Sequence, residues 1–289
     1  TASGAKDPLR CPYTNSGNDC ATQFTTINGG NPNLKPEKST NITLGAVFEP
    51  TKDISVSVDA FDLDLKDVIS AGITPAVILG DLGRYGYLVT RGPTDPSIPG
   101  GYGPIKSISQ TYINLGRYKI QGLDLEGKWR WSFRDWGKFT VRGQGTYFHK
   151  YDVQNLDGSY SGALDTANSS TGGVVPRWKH YVALDWEYGP WTTTVAQRFQ
   201  KSYVDLLGTF DDGSDPSTQR RVGAYELYDL QLQYKGIRNT TIKVGVLNVL
   251  DRNPPFTNAG GQTQFQAGYD ITYGDPRGRT FYANLTYKF

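Results

Sequence analysis

Cys11 and Cys20 are the only thiols, set close together in C-P-Y-T-N-S-G-N-D-C. The Pro, Gly and Asn between them suit a short loop closed by a disulfide in an oxidising compartment; two free thiols in a cytosolic loop are the alternative. A zinc site would need further ligands, and His149 and His180 do not stand at ligand spacing. Asp124 and Glu126 alternate on one face of a strand-like stretch, followed by Lys128 and Arg130. Hydrolysis by paired carboxylates needs the groups to converge from separate strands. The row therefore reads as the polar lining of an interior, and no catalytic residue is assigned. Asp211-Asp212-Gly213-Ser214-Asp215 offers oxygens to Ca2+ but lacks the spaced ligands and closing Glu of a calcium loop, so it reads as a solvated turn. No metal and no cofactor is expected.

The remaining chemistry is recognition. Long polar or Gly/Pro-rich segments, about 70–104, 152–175, 206–221 and 252–276, carry Tyr85, Tyr87, Arg91, Tyr102, Tyr160, Phe210, Arg220, Arg221, Phe256, Phe265 and Tyr269. Aromatic faces suit sugars or planar ligands, and the arginines suit anionic chelates. Packing of the loops on one another is the competing reading.

The elements that hold these loops are strands. Period-two alternation recurs at least nine times, and helical periodicity is almost absent. Examples are Ile42, Leu44, Ala46 and Phe48, then Trp178, His180, Val182, Leu184 and Trp186, then Phe281, Ala283, Leu285, Tyr287 and Phe289. A phase change at Phe61 predicts a bulge or an exit from a one-sided environment. Alternation over about 106–133 predicts one long strand. Connections alternate between short turns (about 50–52, 134–137, 189–190 and 235–239) and long loops. Phe48, Trp129, Trp131, Phe133, Trp136, Trp186, Tyr188, Trp191, Tyr234 and Phe289 gather beside the short turns. Amphipathic rings collect where one edge is wet and the face lies in hydrocarbon. All long loops at one end and aromatics at the other is the asymmetry of a membrane barrel.

Composition agrees. Basic and acidic residues balance, 30 against 28, which indicates no nucleic-acid partner. Mean hydropathy is -0.50, and no apolar run approaches the ~18 residues of a membrane helix. The chain has no methionine and opens T-A-S-G-A-K, without the pattern of a signal peptide, so a processed or partial chain is expected.

N-P-N-L-K-P-E-K-S-T-N from Asn31, D-I-S-V-S-V-D-A-F-D-L-D-L-K-D-V-I from Asp53, Y-I-N-L-G-R-Y-K-I-Q-G-L-D-L-E from Tyr112, L-N-V-L-D-R-N-P-P from Leu247 and R-T-F-Y-A-N-L-T-Y-K-F from Arg279 resemble, in order, late-barrel segments of TonB-dependent outer-membrane receptors. The resemblance runs from about 31 to 289. It implies an all-β antiparallel transmembrane β-barrel of about 22 strands, of which this chain supplies about nine C-terminal ones, at 37–289. Residues 1–36 would be an extracellular loop. On this resemblance the plug domain, the energy-coupling box and the first barrel strands would be expected outside this chain.

What the resemblance implies is active import of a scarce ligand, an iron chelate (siderophore), cobalamin or an oligosaccharide, across the bacterial outer membrane. A passive porin, an outer-membrane barrel enzyme or a secreted carbohydrate-binding β-sandwich are the alternatives. Implied partners are the missing strands and plug of the same receptor, the TonB energy-coupling complex, outer-membrane lipid and lipopolysaccharide, and the barrel-assembly machinery. Phe281, Leu285, Tyr287 and Phe289 resemble the signal that machinery reads.

Overall fold

The computed structural model describes residues 5–21, 23–70, 73–155, 158–168, 173–205, 220–257 and 268–289. Nine long strands carry the fold: β1 (Lys38–Thr51), β2 (Ile54–Lys66), β3 (Arg117–Phe133), β4 (Gly137–Gln154), β5 (Trp178–Tyr188), β6 (Trp191–Gln200), β7 (Tyr225–Tyr234), β8 (Thr240–Leu247) and β9 (Thr280–Tyr287). They lie side by side in chain order as one open sheet, with β1 and β9 at its edges. The ladders from β3 through β9 are antiparallel.

Short turns join alternate pairs. Lys52 and Asp53 join β1 to β2, Arg134–Trp136 join β3 to β4, Gly189 and Pro190 join β5 to β6, and 235–239 join β7 to β8. Gly137 closes the second turn at φ 84°, and a Cβ there would stand 2.1 Å from the Glu187 carbonyl oxygen, so only glycine fits. Between β3 and β4 the register slips at Gln121/Gly122, leaving His149 as the extra residue. Beyond that bulge β4 reverses phase, and Tyr151 joins Phe148 and Phe61 in edge-on ring contacts. β2 spans Ile54–Lys66 as one strand, in which period two puts Phe61 on the same side as Ser57 and Asp59.

The alternation over 106–133 does not make one strand. Ile105–Ser109 pairs in parallel with Thr26–Ile27 and antiparallel with Val89–Arg91, Ile113–Asn114 pairs with Ile69–Ser70, and β3 begins only at Arg117. Gly116, at φ 134°, separates the two regimes. Period two reports a pleat but not which sheet owns it.

The chain divides into two compact units, one of Thr1–Lys38 with Leu65–Arg117, the other of Ser39–Asp64 with Tyr118–Phe289. In the first, Pro75–Gly80 and Leu82–Tyr85 form short helices, the one begun by Pro75 and the other capped by Asp81 onto the Arg84 N–H. Its core includes Ile73, Ile78, Leu79, Tyr85, Leu88, Ile98 and Ile108.

The second unit is the nine-strand sheet, and its two faces differ. One carries Trp129, Val141, Leu184, Val195, Leu230, Val246 and Phe281 in a continuous cross-strand row. Leu44 is 77% and Phe281 73% exposed, a contiguous apolar surface that water would not tolerate and lipid would. The other face is charged and hydroxylated. Among the described residues no helix is long and apolar enough to cross a membrane, a test that does not bear on strands.

Candidate functional site

In the first unit the cysteines are bonded, and the bond ties together two short turns of helix, Cys11–Thr14 and Gly17–Cys20. Their neighbours form an ion network. Arg10 reaches both Asp19 oxygens at 3.3 Å, Asp95 at 3.0 Å and the Tyr102 carbonyl at 2.7 Å. Arg91 donates to both oxygens of Asp7, at 2.8 and 2.9 Å, and to the Gly103 carbonyl, while its guanidinium stands 5.7 Å over the Tyr102 ring. Asp7 is fully buried. Burial pushes its carboxyl up, but the Arg91 hydrogen bonds, the Leu9 N–H and the charges of Arg91 and Arg10 outweigh this and hold it below the usual range. Hydrogen bonds from Ser97 and then Arg10 lower Asp95 likewise. Arg91 and Tyr102 thus meet each other within the first unit, the ring still 40% exposed. Tyr85 is buried under the Arg84 guanidinium, and Tyr87 stands free to solvent.

In the second unit the loop residues form separate contacts. Lys119 lies over the Tyr160 ring at 4.9 Å. Arg220 stacks on Phe256 at 4.5 Å and faces buried Asp205 at 3.9 Å. Arg221 reaches the Ser202 hydroxyl at 3.4 Å, and Tyr269 is half-buried. Burial pushes nearby Tyr203 up to about 12. The Arg277 fork lowers Asp275 to about 2. Phe210, Phe265 and the Asp211–Asp215 turn lie outside the described residues.

The polar face of the sheet is organised by register. Asp124, Thr146, Lys179, Gln200 and Tyr225 are directly opposite one another across β3 to β7. They line a concavity of about 470 Å3 with Asp59, Glu126, Tyr181, Arg198 and Tyr273. Thr146 donates to Asp124 at 2.6 Å, Arg142 pairs with Asp185 at 2.9 Å, and Arg198 grips Asp229 with two bonds of 3.0 Å. Asp229 also accepts the Asn248 N–H, where the chain turns out of β8. Lys179 stands 4.7 Å over the Tyr273 ring. Asp124, Asp185 and Asp229 have hydroxyl or guanidinium partners rather than a shared reacting centre, and among the described residues no cluster could hold a metal. Asp124 and Glu126 were legible as polar lining; the Thr146 partner of Asp124 was not, because it comes from another strand.

At the short-turn end the aromatics make a girdle. Trp131, Phe139 and Trp186 stack in series at 5.6 and 6.2 Å, and Trp191 meets Tyr234 at 4.4 Å. Trp186 donates its indole N–H to the Trp136 carbonyl. Phe139 is the central ring of the series. The sequence shows it as one more alternating apolar residue, and only the register puts it between two tryptophans. Phe281, Leu285, Tyr287 and Phe289 are all exposed on β9 and just past it.

A family model described as TonB dependent receptor-like, beta-barrel matches residues 10–249. No curated protein sequence matches the chain. Among solved structures, a mutant of the ferric enterobactin receptor PfeA from Pseudomonas aeruginosa is similar at 20% identity and a TM-score of 0.59, over 99% of this chain and 34% of that one. The siderophore receptor PirA from Acinetobacter baumannii is similar at 19% identity and 0.60, over 99% and 35%. The FrpB iron transporter from Neisseria meningitidis is similar at 12% identity and 0.59, over 91% and 33%. The chain spans about a third of the length of these structures.

Proposed function

Because the chain belongs to the TonB-dependent receptor-like β-barrel family, whose members are outer-membrane transporters and not enzymes, we propose that it forms strands and external loops of a receptor importing a scarce chelated ligand with energy passed through TonB. One observation carries this reading: a single sheet has an apolar face and an ion-paired polar face, with every long connection at the end away from the aromatic girdle. The remaining strands would pair with β1 and β9. A plug would fill the polar face, whose Asp124–Lys179–Tyr225 row offers hydrogen bonds to it. An iron chelate is the ligand class best supported, since PfeA, PirA and FrpB are named for ferric enterobactin, siderophore and iron, while another similar structure is named a copper transporter. Cobalamin and an oligosaccharide are the competing ligands.

The test is uptake by cells that make the full receptor under iron limitation. Saturable accumulation of a labelled ferric chelate that stops when a protonophore collapses the inner-membrane gradient supports the proposal. Unsaturated uptake indifferent to the protonophore would mean a passive porin.

A further inference from the structure

Three long connections leave the sheet of the second unit, from β4 to β5 (155–177), β6 to β7 (201–224) and β8 to β9 (248–279). One carboxylate ties each to the next. Asp165, in the first, takes the Arg177 N–H at 2.7 Å and the Arg177 guanidinium at 3.4 Å from its own connection, and the Lys201 ammonium from the second. It stands at φ 54°, a left-handed backbone that aspartate tolerates, and its carbonyl accepts the Val204 N–H at 2.8 Å. Asp205, in the second, repeats the pattern. Its side chain is wholly buried, faces Arg220 of its own connection at 3.9 Å, and accepts the Thr257 hydroxyl from the third. Arg220 continues across, donating to the Phe256 carbonyl and lying 4.5 Å over that ring.

The two ties meet in three consecutive residues. The Tyr203 ring packs with Val174 of the first connection and Val222 of its own, all buried. The Val204 N–H goes to Asp165, and the Asp205 carboxylate goes to buried Thr257. Antiparallel pairing of Tyr203 and Val204 with Val222 and Arg221 holds the three in line. A shift of Asp205 large enough to break its bond therefore moves the residue whose N–H holds Asp165. A buried carboxylate that loses a donor carries a desolvation penalty, so a half-open arrangement is worse than a closed one. Surface connections otherwise open singly, at the low end of a protein's range of local stability.

We propose that the described bases of the three connections form one cooperative band, with Tyr203–Asp205 as its joint, which opens and closes as a whole. The consequence for import rests on the receptor reading above. Arg221 and Phe256 would meet a ligand on a surface already ordered, which lowers the ordering cost of binding. A ligand touching one connection would bias all three.

The experiment is native-state hydrogen exchange on the full receptor in mild detergent, without ligand, so that failure of the import reading, which uptake reports, is a separate result. Heat-modifiable gel mobility reports barrel assembly. In the wild type, the slowest amides of 163–168, 173–177, 201–205, 220–222 and 252–257 should share one protection factor. Thr257→Val removes the hydroxyl donor and keeps the shape. Protection should fall about tenfold, as loss of one bond to a buried carboxylate implies, and by the same factor as far away as 163–168. Lys201→Met, at the other tie, should lower 252–257 in return. Thr257→Ser should restore the wild-type pattern. Protection lost in Thr257→Val only at 201–205, 220–222 and 252–257 overturns the proposal, since the connections would then open separately. So does unequal protection among the five segments in the wild type, a result that needs no variant to fold.

Discussion

Arg91 and Asp7 meet fork to fork across 84 positions of chain, two nitrogens on two oxygens, with the carboxylate wholly out of solvent. Such a pair is worth little when compared with a well-packed apolar replacement, but removing one partner strands the other. Asp7→Asn should cost the first unit about 3 kcal/mol. Hydrogen exchange on the full receptor should show faster exchange in 5–38 and 73–117, with heat-modifiable mobility unchanged. Exchange as slow as in the wild type would count against a structural role for the pair.

Acid should open the same unit. Asp7 and Asp95 titrate below the ordinary carboxylate range when folded. The folded unit therefore binds fewer protons than the unfolded one, so its stability from this source is complete above about pH 4 and falls away as pH drops through the folded values. Limited proteolysis should find the cysteine loop protected at pH 7 and exposed near pH 3. Loss of protection between pH 5 and 7 would point to another group.

Reduction should have a local effect. No thiol should alkylate in the unreduced native protein, as intact mass would show. The Cys11→Ser, Cys20→Ser double variant should lose up to ~3 kcal/mol in the first unit and keep the barrel assembled. A barrel that fails to assemble would give the bond a wider role.

Lipid contact distinguishes the two faces of β9. Leu285 lies opposite Ile242, and Asn284 opposite Lys243 on the other face. Arg at Leu285 should cost ~2–4 kcal/mol if it lies near the bilayer midplane. Arg at Asn284 should cost less, the like charge on Lys243 being worth under ~1 kcal/mol. Thermal melts in detergent decide this; equal losses would mean both faces are buried in protein.

Asp229 is shared by Arg198 and the Asn248 N–H. Asp229→Ala should cost about 1–3 kcal/mol by leaving both donors unsatisfied. Its signature should be faster exchange where β8 ends. Arg198→Lys should cost less, because Asn248 keeps its acceptor.

The strands, short turns and aromatic end were legible because each is written in local periodicity or punctuation. The alternation of Trp178 to Tyr188 or Phe281 to Tyr287 needs no partner to be seen. What was not legible depends on which strand lies beside which. Ile108 alternates as well as Leu125 does, yet pairs with Thr26 and Val89 in a different sheet. Arg91 reads as a loop cation free for a ligand until Asp7 is brought to it. The hydrogen-bonded series Trp178, His180, Gln197 and Tyr228 takes one residue or two from each of three strands, and no single segment contains it.

The first unit also has a topological consequence. β1 and β2 leave it after Lys38 and re-enter it at Leu65, so Asp7 and Arg91 flank the hairpin in the chain. Once that unit closes, the hairpin is a covalent loop fixed at both stems. A two-residue slip of β1 along β2 would preserve which side chains face lipid, and the alternation alone does not forbid it. Here the slip would have to draw one stem in and push the other out against the buried Asp7–Arg91 fork that spans them. Register in the first hairpin is therefore set from its stems as well as from its pleat, and a cut between Lys52 and Asp53 would yield two pieces that stay together.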